Sequence, residues 1–387
     1  MSMTDVGLYV HVPFCLRKCG YCDFYSVPVK DADVGSLMSR LALELDDRVR
    51  ACPFEISTAF VGGGTPTILP PRHLADLLTA IARAVRLDAV AEFTVEANPA
   101  TIDDAKAELL RRGGVNRVSL GAQSFVDAEL AVLERRHRPD DIAVSVEVLR
   151  RHGIGQIGLD LIFGIPGQTM DSWAGSLRRT IALEPDHISC YGLTYETGTR
   201  LTALRDQGRL KPCEEHLEAD MYLHAIDTLA EAGYRQYETS NFARPGRRCR
   251  HNLIYWHNGP YLGVGPSASG YVGDRRYKNV ADIAAYIRLI DTQGHAEAES
   301  ERIDTPTLMT EMIMMQLRLT EGLSIQAFRK RTGADPVARF GDALHRMVDL
   351  GLVTVSDTHV ALTRAGRLVS DSVIVELAAA ATERRGT

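Results

Sequence analysis

The chain has 387 residues, more than one hydrophobic core usually organises, and this length predicts a large domain joined to a smaller one. A formal charge of −6 argues against a general nucleic-acid binder, and no apolar run approaches the ~20 residues that span a bilayer. Residues 1–7 hold neither a basic n-region nor an apolar h-region, so the expected location is the cytosol, where seven cysteines suggest metal ligands and core thiols rather than a disulfide framework.

In chain order, short apolar runs at 8–12, 58–61, 92–96, 117–121, 157–163 and 187–194 predict strands. Between them, stretches at 34–50, 71–85, 103–112, 143–152 and 172–183 repeat their apolar residues at helical spacing. Six βα units imply parallel strands joined by right-handed crossovers, hence an α/β fold of the incomplete (β/α)6 barrel type. Ligands in such folds gather at the C-terminal ends of the strands. From about residue 304 the pattern changes to helices at 307–319, 324–332 and 336–350, a hairpin from 351–355 and 359–362, and a last helix from Arg364. This predicts a C-terminal winged-helix-like α+β domain. Residues 301–387 hold 11 Lys/Arg and 11 Asp/Glu, without the basic footprint of DNA binding, so a docking or lid domain beside the barrel mouth is expected. The expected domains are 1–235, 236–303 and 304–387. Met309, Met312, Met314 and Met315 on the first helix of the last domain read as core packing.

The most specific chemical feature is Cys15, Cys19 and Cys22, spaced x3 then x2 after the first strand. An iron–sulfur cluster normally takes four cysteine ligands, so three on one loop leave one iron free to bind something else. A structural zinc knuckle is the alternative, but it would need a second short Cys/His cluster that the chain lacks. The second strand runs into Gly62-Gly63-Gly64-Thr65, where glycines let a backbone approach a ligand closely. The third ends at Glu96, with an N-cap network around Asn98 as the plain alternative. The fifth places Asp160 inside an apolar run, where a carboxylate is costly unless paired or hydrogen-bonded, which favours a site role.

The x3-x2 cysteine spacing resembles the radical S-adenosylmethionine (SAM) superfamily. With Tyr9-x-His11-x-Pro13-Phe14-Cys15, Gly62 to Thr67, Glu96-x-Asn98-Pro99, Arg117-x-Ser119-x-Gly121-x-Gln123-Ser124 and Asp160-Leu161-Ile162-x-Gly164, the chain resembles the HemN-like branch, the oxygen-independent coproporphyrinogen oxidases and their relatives. The resemblance implies that Cys15, Cys19 and Cys22 ligate a [4Fe–4S] cluster and that Tyr9, Tyr21, Gly63, Gly64, Thr65, Glu96, Gln123, Arg135 and Asp160 contact SAM. It also implies one-electron cleavage of SAM to methionine and a 5′-deoxyadenosyl radical. The dehydrogenases of that branch carry a further cysteine two residues after the third and a long N-terminal arm. Here Cys22 is followed by Asp23-Phe24 and only eight residues precede Tyr9.

The chain instead resembles the HemW group of haem chaperones, most closely in Arg250-His251-Asn252-Leu253-Ile254-Tyr255-Trp256, the group's HNxxYW motif. This implies haem binding and transfer to an acceptor protein, through which any membrane contact would come, with no nucleic-acid partner. An imidazole is a common axial haem ligand, and Tyr255 and Trp256 offer flat faces for a porphyrin, so His251, Tyr255 and Trp256 are the candidate haem residues. Arg244, Arg247, Arg248 and Arg250 are candidates for the propionates; the alternative is a solvated basic loop that closes the barrel. Ser269 stands where the family's GxGxxAH segment usually has histidine. Cys249 reads as an inert thiol. The rival functions are a coproporphyrinogen III dehydrogenase and a radical SAM methyltransferase of the HemN-like clade.

Overall fold

A computed structural model describes residues 5–31, 33–86 and 90–382. Six strands, β1 (Val6–Val12), β2 (Ile56–Gly63), β3 (Glu92–Ala97), β4 (Arg117–Gln123), β5 (Gln156–Phe163) and β6 (His187–Gly192), lie side by side in chain order and pair in parallel. Each predicted strand is present, extended by one or two residues at six of the twelve ends, and the last stops at Gly192 instead of running to 194. The helices between them run Val34–Ala51, Pro71–Ala84, Asp104–Arg112, Pro139–Arg151 and Met170–Ala182, and each begins where its sequence supplies a stop for the preceding chain. Asp33, Asp103 and Thr169 accept backbone amides at three of the N-termini, and Pro71 and Pro139 open the other two.

The sheet continues past both edges. Antiparallel β7 (Asn241–Ala243) and the short strand Arg235–Gln236 extend it beyond β6. On the other edge β8 (Tyr261–Val264) pairs in parallel with β1, followed by antiparallel β9 (Ser269–Val272), β10 (Arg275–Asn279) and β11 (Glu297–Arg302). The result is one 12-stranded sheet among the described residues, an open relative of the expected barrel.

Side chains alternate across a strand, and here the two faces differ in chemistry. One face carries Leu8, Val10 and Val12, Ala59 and Val61, Phe93 and Val95, Val118 and Leu120, Leu159 and Leu161, all buried in one apolar core beneath the helices. The other carries Tyr9 and His11, Thr58 and Phe60, Glu92, Thr94 and Glu96, Arg117 and Ser119, Asp160, His187 and Ser189. An interior of ionisable and hydroxyl groups does not close into a dry core; each group needs a partner or a ligand. The register stacks them in successive rows. Gly7, Thr58 and Glu92 share the row nearest the N-terminal ends, and Tyr9, Phe60, Thr94 and Arg117 the next. Glu96, Ser119, Gly158 and His187 stand in the row above, and Gly121, Asp160 and Ser189 in the one after it.

A second apolar core spans Met309 to Ala381. It comprises helices Thr305–Gln316, Ile325–Thr332 and Pro336–Asp349, and strands Leu323–Ser324, Val353–Val355 and His359–Leu362 in one small sheet. The helix expected to run on from Arg364 is broken into Arg364–Leu368 and Ser370–Thr382, and the helix from Pro336 kinks at Gly341, whose φ is +49°. This unit is tied to the barrel by a bridge between Glu238 and Leu319, by Arg364 with Asp227 at 2.6 and 2.7 Å, and by Arg276 with both oxygens of Glu311 at 2.6 Å. No helix among the described residues is long and apolar enough to cross a membrane.

Candidate functional site: a polar barrel interior beside a cysteine loop

The loop after β1 carries the three cysteines, all half-buried. It is anchored to the glycine segment at the end of β2: Gly64 N donates to Val12 O at 2.9 Å and Thr65 N to Phe14 O at 2.7 Å, while Thr65 Oγ1 lies 3.9 Å from Cys15 Sγ. Gly63 has a φ of +103°, and a Cβ there would sit 2.4 Å from the His11 ring, so conformation and space both require glycine. The opposite side of the loop is held by Glu134, which pairs with Arg17 at 3.3 Å and Arg200 at 2.8 Å. Arg135 donates to Gly121 O at 2.6 Å and to Cys19 Sγ at 3.6 Å, which places a cation beside the thiols. Burial pushes the Cys15 thiol up and the Cys22 thiol up to about 11, so bound metal is what would hold them as thiolates. The donor set suits a thiolate-ligated cluster: three soft ligands, a fixed cation and a backbone segment packed against them. No three His, Cys, Asp or Glu side chains among the described residues gather around a single point, as one mononuclear metal ion would need.

Beside this loop the barrel interior opens into a cavity of about 840 Å3. On the cysteine side it is lined by Tyr9, His11, Gly63, Glu96 and Asp160. Glu96 accepts from Gly63 N at 3.1 Å, and burial together with the Asp160 charge lifts its pKa to about 7. Asp160, raised by burial as well, accepts from Ser119 Oγ at 3.1 and 3.2 Å and from Ser189 Oγ at 2.6 Å. Asn98 caps the following turn through Ala100 N, while Glu96 faces into the cavity. Tyr25 O accepts from His11 Nε2 at 3.0 Å, which leaves Nδ1 as the acceptor for the Tyr9 hydroxyl, also at 3.0 Å. Gly64, Thr65, Tyr21, Gln123 and Arg135 do not line the cavity. Tyr21 and Arg135 belong to the cysteine loop's own surroundings, and Gln123, with a φ of +63°, turns its amide back over Gly121.

The HNxxYW segment forms the helix Arg250–Trp256 rather than a solvated basic loop. It enters the barrel from the N-terminal ends of the strands. Glu92 receives the amides of Arg250 at 2.8 Å and His251 at 3.0 Å, capping the helix from inside the barrel. His251 is fully buried, stacked on Phe60 at 5.2 Å, with Nδ1 2.8 Å from Thr58 Oγ1 and Nε2 2.7 Å from Tyr255 OH. Burial and Arg117 lower its pKa to about 3, so the ring is neutral. Both ring nitrogens are occupied, and neither is free to bind iron in this arrangement. His251, Tyr255 and Trp256 all line the cavity.

The arginine run does not line it. Arg244 reaches Tyr234, Arg247 pairs with Asp186 and Arg248 lies over the Tyr237 ring, because the chain carries them past the outside of the floor before the helix turns in. Cys249 is buried with its thiol 3.3 Å from Glu92 Oε1 and its pKa pushed up, as fits an inert thiol. The methionines divide. Met309 and Met312 fill the C-terminal core, whereas Met314 and Met315, on the face of the same helix turned to the barrel, line the cavity with Glu311. Ser269 also lines it. Arg117, His187, Glu238 and Asn241 were not singled out as site residues, although polar residues at every second strand position were the available signal.

A sequence model of the Radical SAM superfamily matches residues 9–179, and one of the HemN C-terminal domain matches residues 303–369. Over 367 residues the chain is 35% identical to the heme chaperone HemW of Bacillus subtilis (strain 168), covering 94% of this chain and 97% of that protein. The chain belongs to the HemW family of radical SAM proteins. The heme chaperone HemW of Mycobacterium tuberculosis (strain ATCC 25618 / H37Rv) is likewise 35% identical over 382 residues, 97% of this chain and 95% of that one. The fold is that of the coproporphyrinogen III oxidase HemN from Escherichia coli, with a TM-score of 0.83 at 23% identity over 97% of this chain and 90% of that one. Membership of the superfamily implies a [4Fe–4S] cluster and SAM. It thereby takes precedence over zinc for the cysteine loop.

Proposed function

We propose that the protein holds a [4Fe–4S] cluster on Cys15, Cys19 and Cys22 and SAM against Gly63, Glu96 and Asp160, binds haem in the adjoining cavity, and passes it to an acceptor protein in the cytosol. The cavity carries this reading. Its volume of about 840 Å3 and its far wall of Tyr255, Trp256, Tyr261, Tyr271, Met314 and Met315 suit a flat, largely apolar macrocycle. Cluster and SAM together supply SAM-cleaving chemistry when an electron is delivered. The chain's own residues do the rest. Arg135 compensates negative charge at the cysteine loop, Glu96 and Asp160 offer acceptors to an ammonium or to ribose hydroxyls, and His251 holds the Tyr255 ring through its Nε2 contact. His251 thus acts through Tyr255 rather than as an axial ligand.

The test is anaerobic reconstitution followed by haem titration read by absorbance, comparing the parent with Trp256→Ala and with the triple Cys15/Cys19/Cys22→Ala variant. One haem per chain, weakened about tenfold or more by Trp256→Ala, is the expected result. No saturable haem binding, with conversion of coproporphyrinogen III by the reduced protein, would move the function to the dehydrogenase.

A further inference from the structure

The interior charges nearest the barrel floor are unequally satisfied. Asp160 has the two serine hydroxyls, and Glu92 has two amides and a thiol. Arg117 lies among them, 2% exposed, and its Nε has no hydrogen-bond partner. No carboxylate among the described residues comes within 4.0 Å of its guanidinium, though Glu92 and Asp160 act on it through space and help keep it charged. A buried cation without a hydrogen-bonded counter-ion is costly, and one that lines a cavity points to a ligand.

His187, also on the cavity wall, is the second such group. Its Nε2 is 2.8 Å from Tyr237 OH, and that phenol oxygen accepts the Cys249 amide at 3.3 Å. The phenol hydrogen has no other acceptor among the described residues, so donation to Nε2 is the arrangement that leaves the hydroxyl satisfied. Burial and Arg117 keep the ring neutral, so its single proton sits on Nδ1, which is buried and unpartnered. The two donors face one place. A Cβ on Gly158 would stand 3.4 Å from Arg117 Nη2, 3.6 Å from His187 Nδ1 and 3.3 Å from Ser119 Oγ, and glycine leaves that space open.

We propose that this niche above Gly158 receives a carboxylate of the cavity's occupant, with the Arg117 guanidinium and the His187 Nδ1–H donating to its oxygens. A single negative charge matches a single guanidinium; a phosphate dianion would bring excess charge beside Asp160 and Glu92. Resting on the haem reading, the carboxylate is a haem propionate. Arg117 and His187 then fix the orientation of the macrocycle, with its carboxylate edge toward the floor and its ring against Tyr255 and Trp256.

The first arm of the test omits haem. Sodium propionate is titrated into protein labelled with 15N-histidine, and the His187 ring signals are assigned by their loss in His187→Gln. A saturable shift of the Nδ1–H signal, abolished in Arg117→Gln, is expected; its absence in the parent overturns the niche. The second arm compares haem with its dimethyl ester. The parent should prefer haem by about tenfold, and Arg117→Gln should bring the ratio near one. Arg117→Lys, which retains the charge without the fork, should fall between them. Equal binding of the acid and the ester by the parent overturns the propionate assignment while the haem reading stands. Failure of the parent to bind either tetrapyrrole overturns the haem reading, and the propionate arm still decides the niche. Thermal melting of each variant separates loss of fold from loss of binding.

Discussion

On the cysteine side of the cavity, Gly63, Glu96 and the loop from Cys15 to Cys22 lie at or just beyond strand ends, each in a short motif that folds largely on itself. On the opposite side, Arg117, His187, His251, Tyr255, Met314 and Met315 come from four separate segments and meet only after the sheet curves and the C-terminal unit docks. The first wall is rich in backbone donors and carboxylates, as suits a small charged cofactor. The second is aromatic and thioether-rich above a polar floor, as suits a large flat ligand. The two walls should therefore fail separately.

The largest effect expected is that of the triple Cys15/Cys19/Cys22→Ala substitution. Reconstituted protein should lose the cluster's iron and its visible absorbance completely, while far-UV circular dichroism stays that of the parent. Haem binding that survives in this variant would establish the independence of the far wall; its loss would show that the cluster organises both.

His251→Ala attacks the other wall. It leaves the buried hydroxyls of Thr58 and Tyr255 without their imidazole, and about 2–4 kcal/mol of unfolding free energy should be lost in a denaturant titration. Because the ring is not placed to ligate iron, the haem absorption bands should keep the parent's ligation signature even where affinity falls.

Glu96 provides a pH-dependent distinction. Its pKa is about 7 in the folded protein against an ordinary 4.5, so the folded state binds the proton more tightly than the unfolded one. Its contribution to stability is full below pH 4.5 and is lost as pH rises through about 7. SAM, which would meet the ionised carboxylate, should bind more tightly across the same rise. Glu96→Gln should flatten both profiles, measured by melting temperature without SAM and by equilibrium dialysis with it.

The smallest effect belongs to the strap between the two units. Arg364 and Asp227 form an exposed bidentate pair, and Arg364→Ala should cost no more than about 0.5–1 kcal/mol. A larger loss in chemical unfolding would mean that docking of the C-terminal unit governs the integrity of the far wall.

The six parallel strands and their helices were legible because hydrophobic periodicity and N-terminal caps act within a few residues. The cysteine loop, the triple glycine, Glu96 and Asp160 were legible for a similar reason, since each stands beside a strand that announces itself. His251 was legible as a motif but not as a plug, because its partners Thr58 and Phe60 lie almost two hundred residues earlier. Met314 differs from Met312 only by which face of one helix turns to the barrel, and no local pattern decides that.

The sequence by itself determined the class of fold, the cofactor loop and the family, because these rest on periodicity and short-range spacing. Only the tertiary structure decided that the alternate face of the sheet is a lined cavity, that Glu92 draws the HNxxYW helix into its floor, and that Arg117 and His187 converge above Gly158. Those outcomes depend on register between strands and on which buried polar groups find partners. Both are settled by long-range packing, where each unsatisfied group carries an energetic cost that no single segment of the chain contains.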